Sequence, residues 1–341
     1  MAIKRKLTST TTLPVKFLIL SDTHDLNLES LPAVPGVDVI LHCGDLTDNG
    51  GLDNHRKVIR GLAAMDAELK LVIAGNHDID LDRRFFLDAG GKVEHHEEVV
   101  QLWKSASKHN IIFLEEGTHH FVLKSGAKLC VYATPYQPQY GSSAFQYASN
   151  QDRFNPECET PTWAVNTASQ TSIIPALLNI DIVLSHGPPK YILDRTAGGI
   201  SAGCEHLRRA VCRTKPLLHC FGHVHDGWGA QRVLWKSNAD SETLAELSDF
   251  QDDDMLPLEK EFIMRNSSKR RGYATLSTAA TDAVRHGKQT LMINAAIGNV
   301  HGKSVEVPWL VELQLPTEKE AGYRAEEAGK RRAITHSRRG I

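Results

Sequence analysis

The chain has no hydrophobic run approaching the roughly 20 residues that a membrane-spanning helix requires. Its opening, Met1 to Thr12, is basic and Thr-rich, with no apolar stretch of the secretory-leader kind. Neither a membrane span nor export is therefore expected, and a cytoplasmic or nuclear location is. Charge of one sign is also lacking: 39 Lys+Arg against 41 Asp+Glu leave a formal net charge of −2. No global field draws the molecule to nucleic acid or an anionic membrane, so no extended nucleic-acid footprint is expected and anion binding must be local. Cysteine is sparse: Cys43, Cys130, Cys158, Cys204, Cys212 and Cys220 contain no CxxC pair, which argues against a disulfide scaffold or a zinc ribbon and for reduced, buried thiols. No Gly-rich nucleotide loop, nucleophilic serine elbow or cysteine-protease signature stands out.

What remains is a 341-residue chain, 41% hydrophobic and 23% charged, with room for one large domain or two and the composition of a globular protein. Its apolar runs are short, and several end abruptly in polar clusters. Residues 15–20 read as a buried strand emptying into Ser21-Asp22-Thr23-His24. Residues 37–41 lead into His42-Cys43-Gly44-Asp45, and 69–73 into Gly75-Asn76-His77-Asp78. Helical spacing across 52–69 predicts a βαβ unit and a parallel sheet. Residues 180–184 run into Ser185-His186-Gly187-Pro188-Pro189 and 217–221 into Gly222-His223-Val224-His225, with a helix predicted over 204–213. Polar clusters at strand ends fit the rule that open α/β sheets place their sites beyond the carboxyl ends of strands.

The rest of the chain frames these clusters. Helices are predicted over 81–89 and 94–107, and strands at 111–114, 121–123, 129–133, 291–294 and 305–315, with a hairpin about Ser125-Gly126. Residues 137–168, rich in Pro, Gln, Asn and Ser, read as a long loop. From 236 to 288 the composition turns polar, with Asp249, Asp252, Asp253 and Asp254 ahead of Lys269-Arg270-Arg271, and a solvated, disordered insertion is expected. The expected organisation is a flexible segment over 1–14, one domain over 15–315 carrying that insertion, and a charged tail over 316–341 containing Lys330-Arg331-Arg332 and Arg338-Arg339.

A lone DxH or HxH occurs by chance, but here such elements form an ordered set. Asp22-x-His24, Gly44-Asp45-x-x-Asp48, Gly75-Asn76-His77-Asp78, Ser185-His186-Gly187 and Gly222-His223-x-His225 each follow an apolar strand. Together they offer carboxylate, imidazole and amide donors, a set suited to Mn, Fe, Zn or Ni. His42 and His219, inside strands, read as buried structural residues. His95-His96 and His119-His120 read as exposed pairs.

This order resembles that of the calcineurin-like metallophosphoesterase superfamily, over roughly residues 15–294. Finer matches lie in Leu41-His42-Cys43-Gly44-Asp45, Thr134-Pro135-Tyr136-Gln137-Pro138, His186-Gly187-Pro188-Pro189, Gly203-Cys204, Phe221 to Gly229 and Asn294-Ala295. These resemble the metallophosphoesterase-domain-containing subfamily of animals and fungi, grouped with class III cyclic-nucleotide phosphodiesterases. The resemblance implies an α/β fold, a β-sandwich of two mixed sheets flanked by helices, and a site for two divalent metal ions. Asp22, His24 and His225 would hold the first ion, Asn76, His186 and His223 the second, and Asp45 would bridge them. Two such ions bring about +4 and the two carboxylates return −2, which attracts a phosphate oxyanion. Ions roughly 3.5–4 Å apart can clamp an in-line displacement and lower the pKa of a bridging water toward about 7, so that hydroxide attacks the ester. The resemblance makes His77 the proton donor to the leaving oxygen, oriented by the Asp48 carboxylate.

One departure narrows the class. Protein Ser/Thr phosphatases place Arg after GDxxD and shortly after GNHE to grip phosphate, whereas Asn49 follows Asp48 here and Ile79-Asp80-Leu81 follows Asp78. Fewer guanidinium contacts suit a singly charged diester better than a dianionic monoester. The expected activity is hydrolysis of a small phosphodiester of nucleotide type. A phosphomonoesterase of the same fold, or a weakly active or non-catalytic nucleotide-binding member, is the alternative. Tyr136 and Trp228, beside the Pro-containing loop and the last motif, are candidate platforms for a base.

Overall fold

The apolar run that opens the chain forms β1 (Thr12–Leu20). Its first half alternates, with Val15 and Phe17 buried and Lys16 exposed, and its second half is buried on both faces. That change of pattern marks the point at which other elements cover the sheet on both sides. The computed structural model describes residues 12–175, 180–235, 260–262, 272–276, 281, 284, 287–298 and 306–317. Among them, β2 (Val39–His42), β3 (Leu69–Val72) and β4 (Ile111–Phe113) extend β1 in parallel. Helices α1 (Leu52–Ala64), α2 (Arg83–Asp88) and α3 (Val93–Ser105) lie in the connections. On α1 the buried His55, Val58, Ile59 and Leu62 recur at i, i+3, i+4 and i+7. This stripe shares one core with Leu18, Leu20 and Ile40 of the sheet and Val99 and Trp103 of α3.

A hairpin, β5 (Gly117–Val122) and β6 (Lys128–Thr134), opens the second sheet. The next connection carries four two-residue strands, β7 (Gln137–Pro138), β8 (Gln146–Tyr147), β9 (Gln151–Asp152) and β10 (Val165–Asn166). It is more ordered than a long loop, because it folds around the buried Phe154 and Asp152. The Asp152 carboxylate accepts from the Phe154 and Asn155 amides at 3.2 and 3.1 Å. Then follow β11 (Ile182–Ser185), α4 (Glu205–Thr214), β12 (Leu218–Phe221), β13 (Gly229–Leu234), β14 (Lys260–Phe262), β15 (Ala274–Thr275), β16 (Gln289–Asn294) and β17 (Trp309–Pro316). Cys204 caps α4, its Sγ accepting from the Leu207 amide at 3.2 Å.

The strand orders are β15-β17-β1-β2-β3-β4 and β14-β13-β16-β12-β11-β6-β5, and both sheets are mixed. Their inner faces meet in a core that includes Phe17, Ile19, Val131, Ile182, Leu184 and Leu218. Helix α4 covers the outer face of the second sheet through Leu207, Ala210 and Val211 against Val183, Phe221 and Met292. The architecture is thus the expected sandwich of two mixed sheets with helices outside. No described helix is long and apolar enough to cross a membrane.

The stretch 236–288 corrects the sequence reading in part. It supplies an edge strand to each sheet, β14 beside β13 and β15 beside β17, and Ala274 is buried. Two- and three-residue edge strands draw their order from the neighbour's ladder and show no hydrophobic period of their own. The Asp249–Asp254 and Lys269–Arg271 clusters, residues 1–11 and the basic tail lie outside the described residues.

His42 and His219 are buried, as read. The Ser185 hydroxyl donates to the Gly187 carbonyl, so His219 Nε2 is the donor in its 2.8 Å contact with Ser185, and Nδ1 has no partner. Burial pushes the His219 pKa down to about 3. Below about pH 6.5 the unfolded chain takes up a proton at this residue that the folded chain refuses until about pH 3, so stability is lost on acidification through that window. Lowering the pH from 7.5 to 5.5 should therefore remove about 1.4 kcal/mol through His219 alone. Urea unfolding of the wild type and of His219→Gln at both pH values measures this. The variant should lose less by that amount, and equal losses would contradict it.

Candidate metal centre

The carboxyl ends of β1, β2 and β3 lie side by side in one sheet, and those of β11, β12 and β16 in the other. The segments leaving them are bonded to one another. Asp22 N donates to Gly44 O at 2.9 Å, His24 N to Asp45 O at 3.2 Å, Gly222 N to His186 O at 2.9 Å and Ile297 N to Ser21 O at 3.0 Å. Both sheets therefore feed one polar focus. Asp22, His24, Asp45 and His223 all take left-handed φ values, between 43° and 66°. Such conformations disfavour a side chain by roughly 1–2 kcal/mol, and backbone strain of this kind gathers where side chains must converge.

The residues singled out from the sequence come together there in three overlapping groups. Asp22, His24 and His225 form one, His24, Asp45 and His77 a second, and Asp45, His186 and His223 a third, with donor atoms in each group within 4.8 Å of one another. His225 Nδ1 donates to the Gly298 carbonyl at 3.2 Å, so the Nε2 lone pair turns inward. It faces His24 Nε2 at 3.3 Å and Asp22 Oδ1 at 3.2 Å. His186 repeats the arrangement. Its Nδ1 donates to Cys43 O at 2.9 Å, and its Nε2 faces Asn76 Oδ1 at 2.9 Å and Asp45 Oδ1 at 3.4 Å. Nitrogen and oxygen atoms set face to face in this way need a proton or a cation between them, and backbone carbonyls behind imidazoles are the usual device for orienting metal ligands. The donor set, nitrogen and oxygen without thiolate, fits divalent ions of the Mn, Fe, Zn or Ni kind.

Titration behaviour follows the same logic. Burial raises the pKa values of Asp22 and Asp45, but the imidazoles outweigh it. His225 foremost holds Asp22 well below the carboxylate range, and His186 lowers Asp45. In return His186 is pushed up to about 9 by Asp45, against the effect of its own burial. His223 faces less carboxylate, and burial takes it down to about 4. The focus is an anionic pocket that retains a proton where it lacks another cation.

Supporting residues show what sequence reading missed. Asp78, quoted within its motif but given no role, is fully buried. It accepts from the amides of Gly75, Leu46 and Thr47 at 2.8, 3.1 and 3.0 Å and from the Thr47 hydroxyl at 2.9 Å, tying the Asn76 segment to the Asp45 segment. Asn294 donates to the Leu193 and Val224 carbonyls at 3.0 and 2.8 Å and so anchors the segment carrying His223 and His225. His95-His96 is not an exposed pair: both imidazoles turn onto Asp80, and His96 is buried.

Asp48 also differs from expectation. His77 Nδ1 donates at 2.7 Å to the peptide oxygen of Asp48, while the Asp48 carboxylate lies 3.1 Å from His24 Nδ1, out of line for a hydrogen bond. The proposed stacking platforms are partly occupied. Arg153 covers a face of Tyr136 at 3.6 Å, and Trp228 stacks on Trp309 with centroids 4.7 Å apart.

Glycine is required where carboxylates pass. A Cβ on Gly222 would lie 2.0 Å from Asp22 Oδ2, and one on Gly75 2.2 Å from Asp45 Oδ1. Gly222→Ala should displace Asp22 and reduce bound metal at least 10-fold at fixed free metal, about the least that a disturbed ligand shell loses. Elemental analysis after gel filtration measures this, and wild-type stoichiometry would show that the approach is not limiting.

Comparison with known proteins agrees with this geometry. A family model described as calcineurin-like phosphoesterase matches residues 15–227. A probable rhamnogalacturonate lyase C of Emericella nidulans is 35% identical over 236 residues, 69% of this chain and 19% of that protein. Metallophosphoesterase domain-containing protein 1 of Homo sapiens is 29% identical over 228 residues, 63% of this chain and 61% of that protein. The chain thus spans under a fifth of the length of one relative and about three fifths of the other. A phosphopantetheinyl hydrolase from Mycobacterium tuberculosis aligns at 14% identity with a TM-score of 0.39, covering 66% of this chain and 86% of that one. A purple acid phosphatase from yellow lupin aligns at 10% identity with a TM-score of 0.34, covering 91% and 55%. At those scores neither likeness carries weight. Because the family model matches more than half of this chain and the motif residues gather at one focus, the chain belongs to the calcineurin-like phosphoesterase family.

Proposed function

We propose that the protein is a dinuclear-metal-dependent phosphoesterase acting on small phosphodiesters of nucleotide type. The observation that carries this reading is the convergence of side-chain nitrogen and oxygen atoms of Asp22, His24 and His225, and of Asn76, His186 and His223, around one shared carboxylate, Asp45. The first trio would hold one divalent ion, the second trio the other, with Asp45 between them. When bound, such ions supply a nucleophilic water at neutral pH and draw charge from the phosphoryl group.

The chain's own residues divide the remaining work. His77 is exposed at the rim of the focus, its amide donating to Asp45 Oδ1 at 2.8 Å and its ring set edge-on to His24 at 4.8 Å. Since Nδ1–H is committed to the Asp48 carbonyl, Nε2 is the atom that can deliver a proton to a departing oxygen. Asn49 and Ile79 stand where a phosphate-gripping arginine would be needed for a dianionic monoester, which supports the preference for a diester.

Two variants test the division of labour. Asp45→Asn should lose bound metal and activity together. His77→Asn should keep its metal while turnover falls by about 10²–10⁴-fold on an ester with an alkoxide leaving group, and by less on one that releases nitrophenolate. A panel of bis-aryl phosphate, aryl monophosphate and cyclic nucleotides, assayed with Mn²⁺ and with EDTA, measures this. Absence of metal-dependent turnover on every substrate would overturn the enzymatic reading, and faster monoester than diester hydrolysis would overturn the substrate class.

A further inference from the structure

We propose that Asp80, assisted by His55 and His95, is a positioning residue for His77, acting through the turn that presents the Asp48 carbonyl. The inference rests on the reading of His77 as proton donor. Asp80 is 1% exposed, and both of its carboxylate oxygens are engaged. One accepts from His55 Nε2 at 2.8 Å. The other accepts from the Gly51 amide at 2.7 Å and from His95 Nε2 at 3.0 Å. Trp103 Nε1 donates to His55 Nδ1 at 3.2 Å, which fixes the tautomer that places the His55 proton on Asp80. His96 Nδ1 donates to the Asp80 peptide oxygen at 2.7 Å. Residues from α1 and α3 thereby hold one buried carboxylate rigidly, and none of these contacts is needed to bind a metal ion.

The position of that carboxylate gives it a consequence at the site. Gly51 ends the turn that begins at Thr47. At its start, the Thr47 hydroxyl donates to Asp78 and accepts from the Gly50 amide at 2.9 Å. At its end, Gly51 is pinned by Asp80, and Gly50 passes so close that a Cβ there would lie 2.7 Å from the Asp80 carboxylate. Between these anchors lies Asp48, whose side chain is 56% exposed and whose carbonyl takes the His77 Nδ1 proton. Releasing Gly51 lets the turn relax, so the carbonyl that aims the His77 ring loses its fixed direction. Placement of Nε2 at the leaving oxygen then degrades, although His77 itself is intact.

The test uses the full chain loaded with Mn²⁺ and two diesters, one releasing nitrophenolate and one releasing an alkoxide. Asp80→Asn should lower kcat about 10-fold on the alkoxide ester and much less on the nitrophenolate ester, with KM and metal content unchanged. In a His77→Asn background it should add little, because two residues acting through one step are not additive. His95→Gln, at a partly exposed position that tolerates change, should show the same pattern with a smaller loss, so the result does not depend on Asp80→Asn folding. Equal losses on both esters, loss of metal, or full additivity with His77→Asn would overturn the positioning role while leaving the phosphoesterase reading intact. A metal-loaded wild type that cleaves neither ester would overturn both.

Discussion

Holding the carboxylates of Asp22 and Asp45 side by side, out of water, is unfavourable, because each loses its hydration and repels the other. Much of the surrounding structure offsets that cost. The His223 amide donates to both oxygens of Asp22 at 3.0 Å, and the His77 amide donates to Asp45. The imidazoles of His225 and His186 supply positive charge, which favours the ionised form of both acids despite their burial. A fold with a single sheet could not bring histidines from opposite directions onto the same pair. Here β1 and β2 deliver the acids and β11 and β12 deliver His186 and His223.

The left-handed backbone at Asp22, His24, Asp45 and His223, the close approach of Gly75 and Gly222, and the buried support of Asp78 and Asn294 all serve this one juxtaposition. Each feature is locally unfavourable or locally unexplained, yet each becomes intelligible as a means of aiming a donor at the focus. Helix packing against the outer faces keeps the strand ends in register, so the site inherits the rigidity of the core while His77 stays at the solvent edge.

The sequence makes the first layer of this arrangement legible because every candidate ligand directly follows an apolar strand, and a strand end is a position that pattern alone can locate. The next layer is not legible. Asp78 reaches Leu46 and Thr47, and Asp80 reaches His55, His95 and Gly51, through side chains separated by 15 to 32 residues and carrying no period. His95-His96 looks like a solvated pair because its partner is a buried acid on another element. The Asp48 assignment fails for a subtler reason: a sequence names side chains, and the atom that orients His77 belongs to the backbone. The edge strands β14 and β15 are missed because a neighbour's ladder, not their own composition, makes them strands.

The proposed function requires that this strand-terminal focus hold two divalent ions, with Asp45 serving both. Anomalous diffraction from crystals grown with Mn²⁺ addresses it directly. Two peaks are expected, one among Asp22, His24 and His225 and the other among Asn76, His186 and His223, both contacting Asp45. No peak at this focus, or metal bound only elsewhere on the chain, would contradict the account.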